Sequence, residues 1–128
     1  MQEINDFLKK CETYYLATVD ENQPRVRPFG TVNLFDGKLY IQTGAKKDVV
    51  KQIAKNNRVE ISAYDGATWI RLSAKLFEDE NEAAQESMFS AYPFLKTLYT
   101  AETSKLYYLK DAVASFCALG GEPRAVRF

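Results

Sequence analysis

Two Asp-Gly dipeptides, Asp36-Gly37 and Asp65-Gly66, each stand between two extended apolar runs. No other feature of this chain narrows its fold as much. An Asp-Gly pair accepts the backbone angles of a tight two-residue turn, so it ties its flanking runs into an antiparallel hairpin. The run after the second dipeptide, ATWIRLSAKLFED (67–79), alternates cleanly. Ile70, Leu72, Ala74 and Leu76 fall on one face; Trp69, Arg71, Ser73 and Lys75 fall on the other. That pattern predicts a strand with one buried side.

The same two-residue period marks 13–19, 38–43 and 58–64, and extended stretches run over 24–35, 105–119 and 124–128. Pro28 has no N–H for a ladder, so it marks an edge or a bulge within 24–35. Ile4, Phe7, Leu8 and Cys11 recur at helical spacing and predict a helix over 2–11. A second helix is expected over 46–57, with Val49, Val50, Ile53 and Ala54 apolar and Lys47, Lys51 and Lys55 on another face. Asn81 caps a third, over 81–93, and a short fourth follows at 94–100. Hairpins dominate, and only 38–64 reads as a strand–helix–strand crossover. The expectation is one domain over residues 1–128: a mainly β, α+β, mostly antiparallel barrel of six to seven strands.

Several function classes fall away. The 17 basic and 17 acidic residues cancel, which argues against a general nucleic-acid binder. The 16 Tyr and Phe residues leave a small barrel that stacks single-stranded bases as the weaker alternative. The chain has no histidine, so Ser-His and Cys-His nucleophiles and His-ligated metals are excluded. Cys11 and Cys117 lack metal spacing and read as reduced, buried thiols; no metal is expected. The opening MQEINDFLKKC has no apolar signal core, and no apolar run approaches the roughly 20 residues of a membrane span. A cytoplasmic protein without membrane contact is expected. An enzyme of this composition would take its hard chemistry from a cofactor.

Two basic clusters point to an anion. Lys46 and Lys47 follow the strand end Gln42-Thr43-Gly44, where the macrodipole of the coming helix disfavours cations. They are either solvated surface lysines or half of a phosphate site, with Gly44 allowing close approach and Thr43 donating a hydroxyl. Arg25 and Arg27, two apart in an extended run, share a face and repel unless an anion lies between them. The Asp36-Gly37 hairpin places residue 43 near 30–31, which brings the two clusters toward one point. Trp69, the only tryptophan, is either packing or an aromatic wall beside a planar ligand.

PRVRPFG, followed after the hairpin by IQTGAKKDVVKQIAKNNRVEISAY, resembles the pyridoxamine 5′-phosphate oxidase-like flavin-binding split-barrel family. The likeness is greatest to its small, nitroimidazole-reductase-like members and covers roughly residues 10 to 80. It implies a split β-barrel homodimer that binds FMN at the subunit interface and passes hydride or electrons to a small-molecule substrate. The alternative is a flavin-binding module without turnover. By the resemblance, Arg25, Arg27, Lys46 and Lys47 would hold the phosphate. Gln42 and Thr43 would lie near the ribityl chain or ring, Val26 would offer backbone contacts, and Trp69 would line the flavin. No catalytic side chain is implied, since the flavin carries the chemistry. The oxidase proper uses further Arg and His or Tyr residues on its substrate. This chain has no His, which argues against vitamin B6 oxidation, although Arg124 and Arg127 could replace some of that charge.

Overall fold

The computed structural model describes residues 1–128. Helix α1 (Gln2–Cys11) leads into the hairpin β1 (Tyr14–Asp20) and β2 (Gln23–Phe29). Strands β3 (Asn33–Phe35) and β4 (Lys38–Gly44) follow, then α2 (Asp48–Lys55), β5 (Arg58–Tyr64) and β6 (Thr68–Glu78). Helices α3 (Glu82–Ala91) and α4 (Leu95–Leu98) precede the long strand β7 (Ser104–Ala118) and the short β8 (Arg124–Arg127). The strands form one antiparallel sheet in the order β2-β1-β5-β6-β7-β4-β3, with β8 also on β7.

Both Asp-Gly dipeptides lie in hairpin turns, the second centred one residue later on Gly66 (φ 102°) and Ala67, where the Asp65 N–H donates to the Thr68 carbonyl at 3.0 Å. Asp36 and Gly37 have φ of 48° and 72°, the paired left-handed angles of a hairpin turn, and Phe35 pairs with Lys38 across it. Eight strands rather than six to seven result, because the expected run 24–35 breaks at Gly30–Val32. There the backbone leaves the ladder, and a side chain takes over its role. Thr31 Oγ1 accepts the Gln42 N–H at 3.1 Å and donates to the Gln42 carbonyl at 3.2 Å. The sheet curls without closing, with β2, β3 and β8 as its edge strands.

Inside the curl, the alternating faces meet as predicted. Ile70, Leu72, Ile61, Leu16, Leu39 and Ile41 are fully buried, and α1 closes one end with Ile4 and Leu8. Truncating one such leucine costs about 3 kcal/mol. A smaller cluster of Tyr40, Met88, Phe89, Leu95 and Leu106 seats α3 and α4 on the opposite face of β4 and β7. Strand β4 is thus buried on both faces, which fixes the position of its C-terminal end.

Strand β7 serves two neighbours along one edge. Its first part pairs with β4 and its second with β8, while β6 runs along the other side. The switch lies at a bulge. Ser73 pairs with Val113, but Lys75 pairs with Lys110, leaving an extra residue on β7. Asp111 has φ of 53° there, and Lys75 meets its carboxylate at 3.5 Å.

Candidate functional site

A cavity of about 1260 Å³ opens between β2, the end of β4, α2 and α4. Six of the eight residues named from the sequence line it: Arg25, Val26, Arg27, Gln42, Thr43 and Lys47. The period of two turns Arg25 and Arg27 to the same side of β2, where they flank α2. Lys47 is the residue before α2, with extended backbone angles, so its side chain follows the cavity wall rather than the helix axis. Helix α2 begins at Asp48, two residues later than expected, and Lys46 is exposed and outside the lining.

Arg27 is the best-held cation. Its Nη1 donates to Thr18 Oγ1 at 2.7 Å and to the Leu16 carbonyl at 3.3 Å, and its Nη2 donates to Gln52 Oε1 at 2.5 Å. Thr18, itself buried, donates its hydroxyl to the same Gln52 oxygen at 2.5 Å. Every partner is neutral. The Nε–H and one Nη2–H have no acceptor in the protein. Burial, and then the neighbouring Arg25, lower the Arg27 pKa from its ordinary value, while Asp48 acts the other way. An arginine does not lose its proton in a protein, so Arg27 stays charged beside a second cation, Arg25. Arg25 is more exposed and meets Asp20 at 3.3 Å.

Lys51 and Lys55 also line the cavity, one and two helical turns beyond Lys47. Five cations therefore face three carboxylates, Asp20, Glu21 and Asp48. Asp48 lies 4.0 Å from Lys51, but both are open to solvent, so that pair neutralises little. Thr43 is buried at the rim, and its hydroxyl has no protein partner. Gln42 is turned inward: its Nε2 donates to Ser104 Oγ at 3.0 Å and to the Thr43 carbonyl at 3.2 Å. Only its Oε1 remains for a ligand.

Gly44 plays a different part from the one expected. It has no left-handed angle and does not line the cavity. A Cβ there would stand 2.9 Å from Tyr99 Cε1 and 3.3 Å from Tyr99 Oη. The glycine makes room for Tyr99, which lines the cavity beside Phe94 and Leu98. Phe94 and Leu98 are 56 % and 65 % exposed, so α4 presents an uncovered apolar wall.

Trp69 does not reach this cavity within one chain. It lies half-buried on the outward face of the sheet, between Tyr64 and Cys117, with the Arg71 guanidinium 5.1 Å from its ring centre. Arg124 is also elsewhere, paired in a two-bond fork with Glu3. Sequence reasoning saw the Lys47/Lys51/Lys55 repeat without assigning it. Thr18, Gln52 and Tyr99 gave no local signal, since each joins the site through the fold alone. No helix is long and apolar enough to cross a membrane.

Comparison with known proteins supplies a family. The family described as pyridoxamine 5′-phosphate oxidase matches residues 1–114. A NimC/NimA family protein from Clostridium acetobutylicum is 35 % identical over all of this chain and 92 % of its own, with a TM-score of 0.96. More distant structures share the fold. A pyridoxamine 5′-phosphate oxidase-related, FMN-binding protein from Nostoc punctiforme matches at TM-score 0.65, with 16 % identity over 98 % of this chain and 84 % of its own. An FAD-binding protein from Mesorhizobium loti matches at TM-score 0.66, with 14 % identity over 91 % of this chain and 94 % of its own. A search of curated proteins found no match. The cation-lined cavity thus sits in a split barrel whose sequence and topology agree on one assignment, and the chain belongs to the pyridoxamine 5′-phosphate oxidase family.

Proposed function

We propose that the cavity binds FMN and that the protein is an oxidoreductase, passing hydride or electrons through that flavin to a small-molecule acceptor. The observation that carries the reading is Arg27: a half-buried guanidinium, fixed by neutral partners, with two N–H groups aimed at no protein acceptor. Such a fork suits a phosphate dianion. Lys47 adds charge, and the unpaired Thr43 hydroxyl adds a neutral donor. The wall of Phe94, Leu98 and Tyr99 offers apolar surface for a planar ring. The flavin supplies the redox chemistry when bound, and the protein's part is to bind, orient and exclude water. That division suits a chain with no histidine.

A homodimer belongs to the same reading. The outward face of the sheet carries Tyr15, Val26 and Tyr64, which are 52 %, 68 % and 65 % exposed, with Trp69 and Arg71 beside them. No element of the chain covers this face. A second copy placed there would bury the apolar side chains and bring Trp69 to an interface. Sedimentation at micromolar concentration should give a dimer; a monomer overturns this part. The two free cysteines suit a reducing, cytoplasmic location. The balanced charge argues for a small-molecule partner over nucleic acid.

The deciding test is simple. The purified protein should be yellow, and heat should release a chromophore that co-elutes with FMN. Release of FAD instead, or failure of the apoprotein to take up FMN, would refute the cofactor assignment. Steady-state assays with NADH or NADPH and a panel of acceptors then test turnover. Flavin uptake without turnover on any acceptor would make the protein a binding module.

A further inference from the structure

Arg27 could have been held by a carboxylate. It is held by an amide instead. Gln52 Oε1 accepts from Arg27 Nη2 at 2.5 Å and from Thr18 Oγ1 at 2.5 Å, while Thr18 Oγ1 accepts from Arg27 Nη1 at 2.7 Å. The three side chains close a ring of hydrogen bonds from three elements, α2, β1 and β2. Thr18 is 2 % exposed and Arg27 and Gln52 are half-buried, so the ring is shielded enough for its electrostatics to matter. A carboxylate in the place of that amide would fix the guanidinium equally well, but it would cancel its charge at a distance where screening is weak. The amide fixes the geometry and leaves the charge unspent. Asp20 does not compensate, since it faces Arg25; Asp48 lies further out in solvent beside Lys51.

We infer that Gln52 is a positioning residue that sets the ligand preference of the cavity. By clamping Arg27 through a neutral oxygen, it makes the site choose a phosphate monoester dianion over the same ligand without phosphate. The inference rests on the cavity being the anion site of the proposed function. Gln52 also lines the cavity, and the effect inferred for it runs through the Arg27 Nε–H and Nη2–H groups that its Oε1 helps to fix. The flavin ring is recognised elsewhere in the cavity, so its contribution is independent of residue 52.

The experiment compares FMN with riboflavin, which differ only in the phosphate. Apoprotein is titrated with each, following flavin fluorescence, for the parent protein and for Gln52→Glu, an isosteric change. The parent should prefer FMN strongly. Gln52→Glu should lower FMN affinity about 30-fold or more, as expected when a charge-assisted pair is lost, and leave riboflavin within about threefold. The salt dependence of FMN binding should flatten in parallel. A merely structural role would weaken both ligands together. An unchanged FMN-to-riboflavin ratio in Gln52→Glu overturns the inference. Inorganic phosphate serves as a flavin-free probe, read by thermal shift. A rise in melting temperature with phosphate in the parent but not in Gln52→Glu supports the inference, even if no flavin binds and the FMN reading falls. No phosphate response in the parent, or an equal one in both proteins, overturns it.

Discussion

Lys46 and Lys47 are adjacent in sequence, yet the structure separates them sharply, and that separation is measurable. Lys47 lines the cavity, and its Cγ lies 3.5 Å from the position a Cβ on Gly44 would take. Its stem is therefore supported against the end of β4, and holding the ammonium in place costs less side-chain entropy than for a free lysine. Lys46 is exposed and outside the lining. A charge-assisted hydrogen bond to a phosphate contributes about 1.5–3 kcal/mol. Lys47 is solvent-exposed, so the low end of that range applies. Lys47→Ala should then weaken FMN binding by about 1.5 kcal/mol, roughly tenfold. Lys46→Ala keeps only a screened, long-range charge effect and should stay within about 0.5 kcal/mol. Fluorescence titration of the apoprotein with FMN reads both. The gap should narrow at high salt, because the Lys47 contact is partly open to ions. Equal losses from the two substitutions, or a larger loss from Lys46→Ala, would refute the placement of the helix start and with it this assignment of charge.

Three further outcomes follow from the geometry. Tyr14 is fully buried and donates its hydroxyl to the Thr31 carbonyl at 2.6 Å, so Tyr14→Phe should destabilise the fold by about 1–2 kcal/mol in denaturant titrations. The backbone N–H groups of Thr68 and Ala67, and then Lys10, push the Asp65 carboxyl down to about 2. An unfolded aspartate titrates near ~3.9. The Asp65 contribution is therefore complete above about pH 4 and vanishes as the pH falls to about 2; melts across that range should flatten in Asp65→Asn. Gly44→Ala should cost about 1–3 kcal/mol through the clash with the Tyr99 ring, and the double change with Tyr99→Ala should cost less than the sum of the two.

Much of the fold was legible because local patterns and tertiary faces agree. The alternation of 67–79 became β6, with Ile70, Leu72, Ala74 and Leu76 inward, and the spacing of Ile4 and Leu8 became the buried side of α1. The break at Gly30–Val32 was invisible, since nothing local shows that the Thr31 side chain will bond to β4. The cluster of Arg25, Arg27 and Lys47 was readable from periodicity and one hairpin. The exclusion of Lys46 was not, because the start of α2 at Asp48 leaves Lys46 in the turn ahead of the helix, and no local signal marks that boundary. In the sequence, Gly44 looks like a place for a ligand to approach. The group that needs its space is Tyr99, which lies 55 residues onward and could be placed only by the whole sheet.

The way β7 is shared has a consequence for how the protein is made. Arg25, Arg27, Thr43, Lys47 and Gln52 all leave the ribosome early, yet β4 has only the three-residue β3 beside it until β7 arrives. Gln42, Thr43 and Gly44 pair with Leu106, Lys105 and Ser104, contacts that span about sixty residues. Such distant pairing is slow to close. The rim of the cavity is therefore among the last parts of the chain to become rigid, and it is not braced by β7 before the final third of the chain is synthesised. A chain stopped short of residue 104 would carry every residue that lines the cavity and still lack the strand that pairs with β4 at its rim.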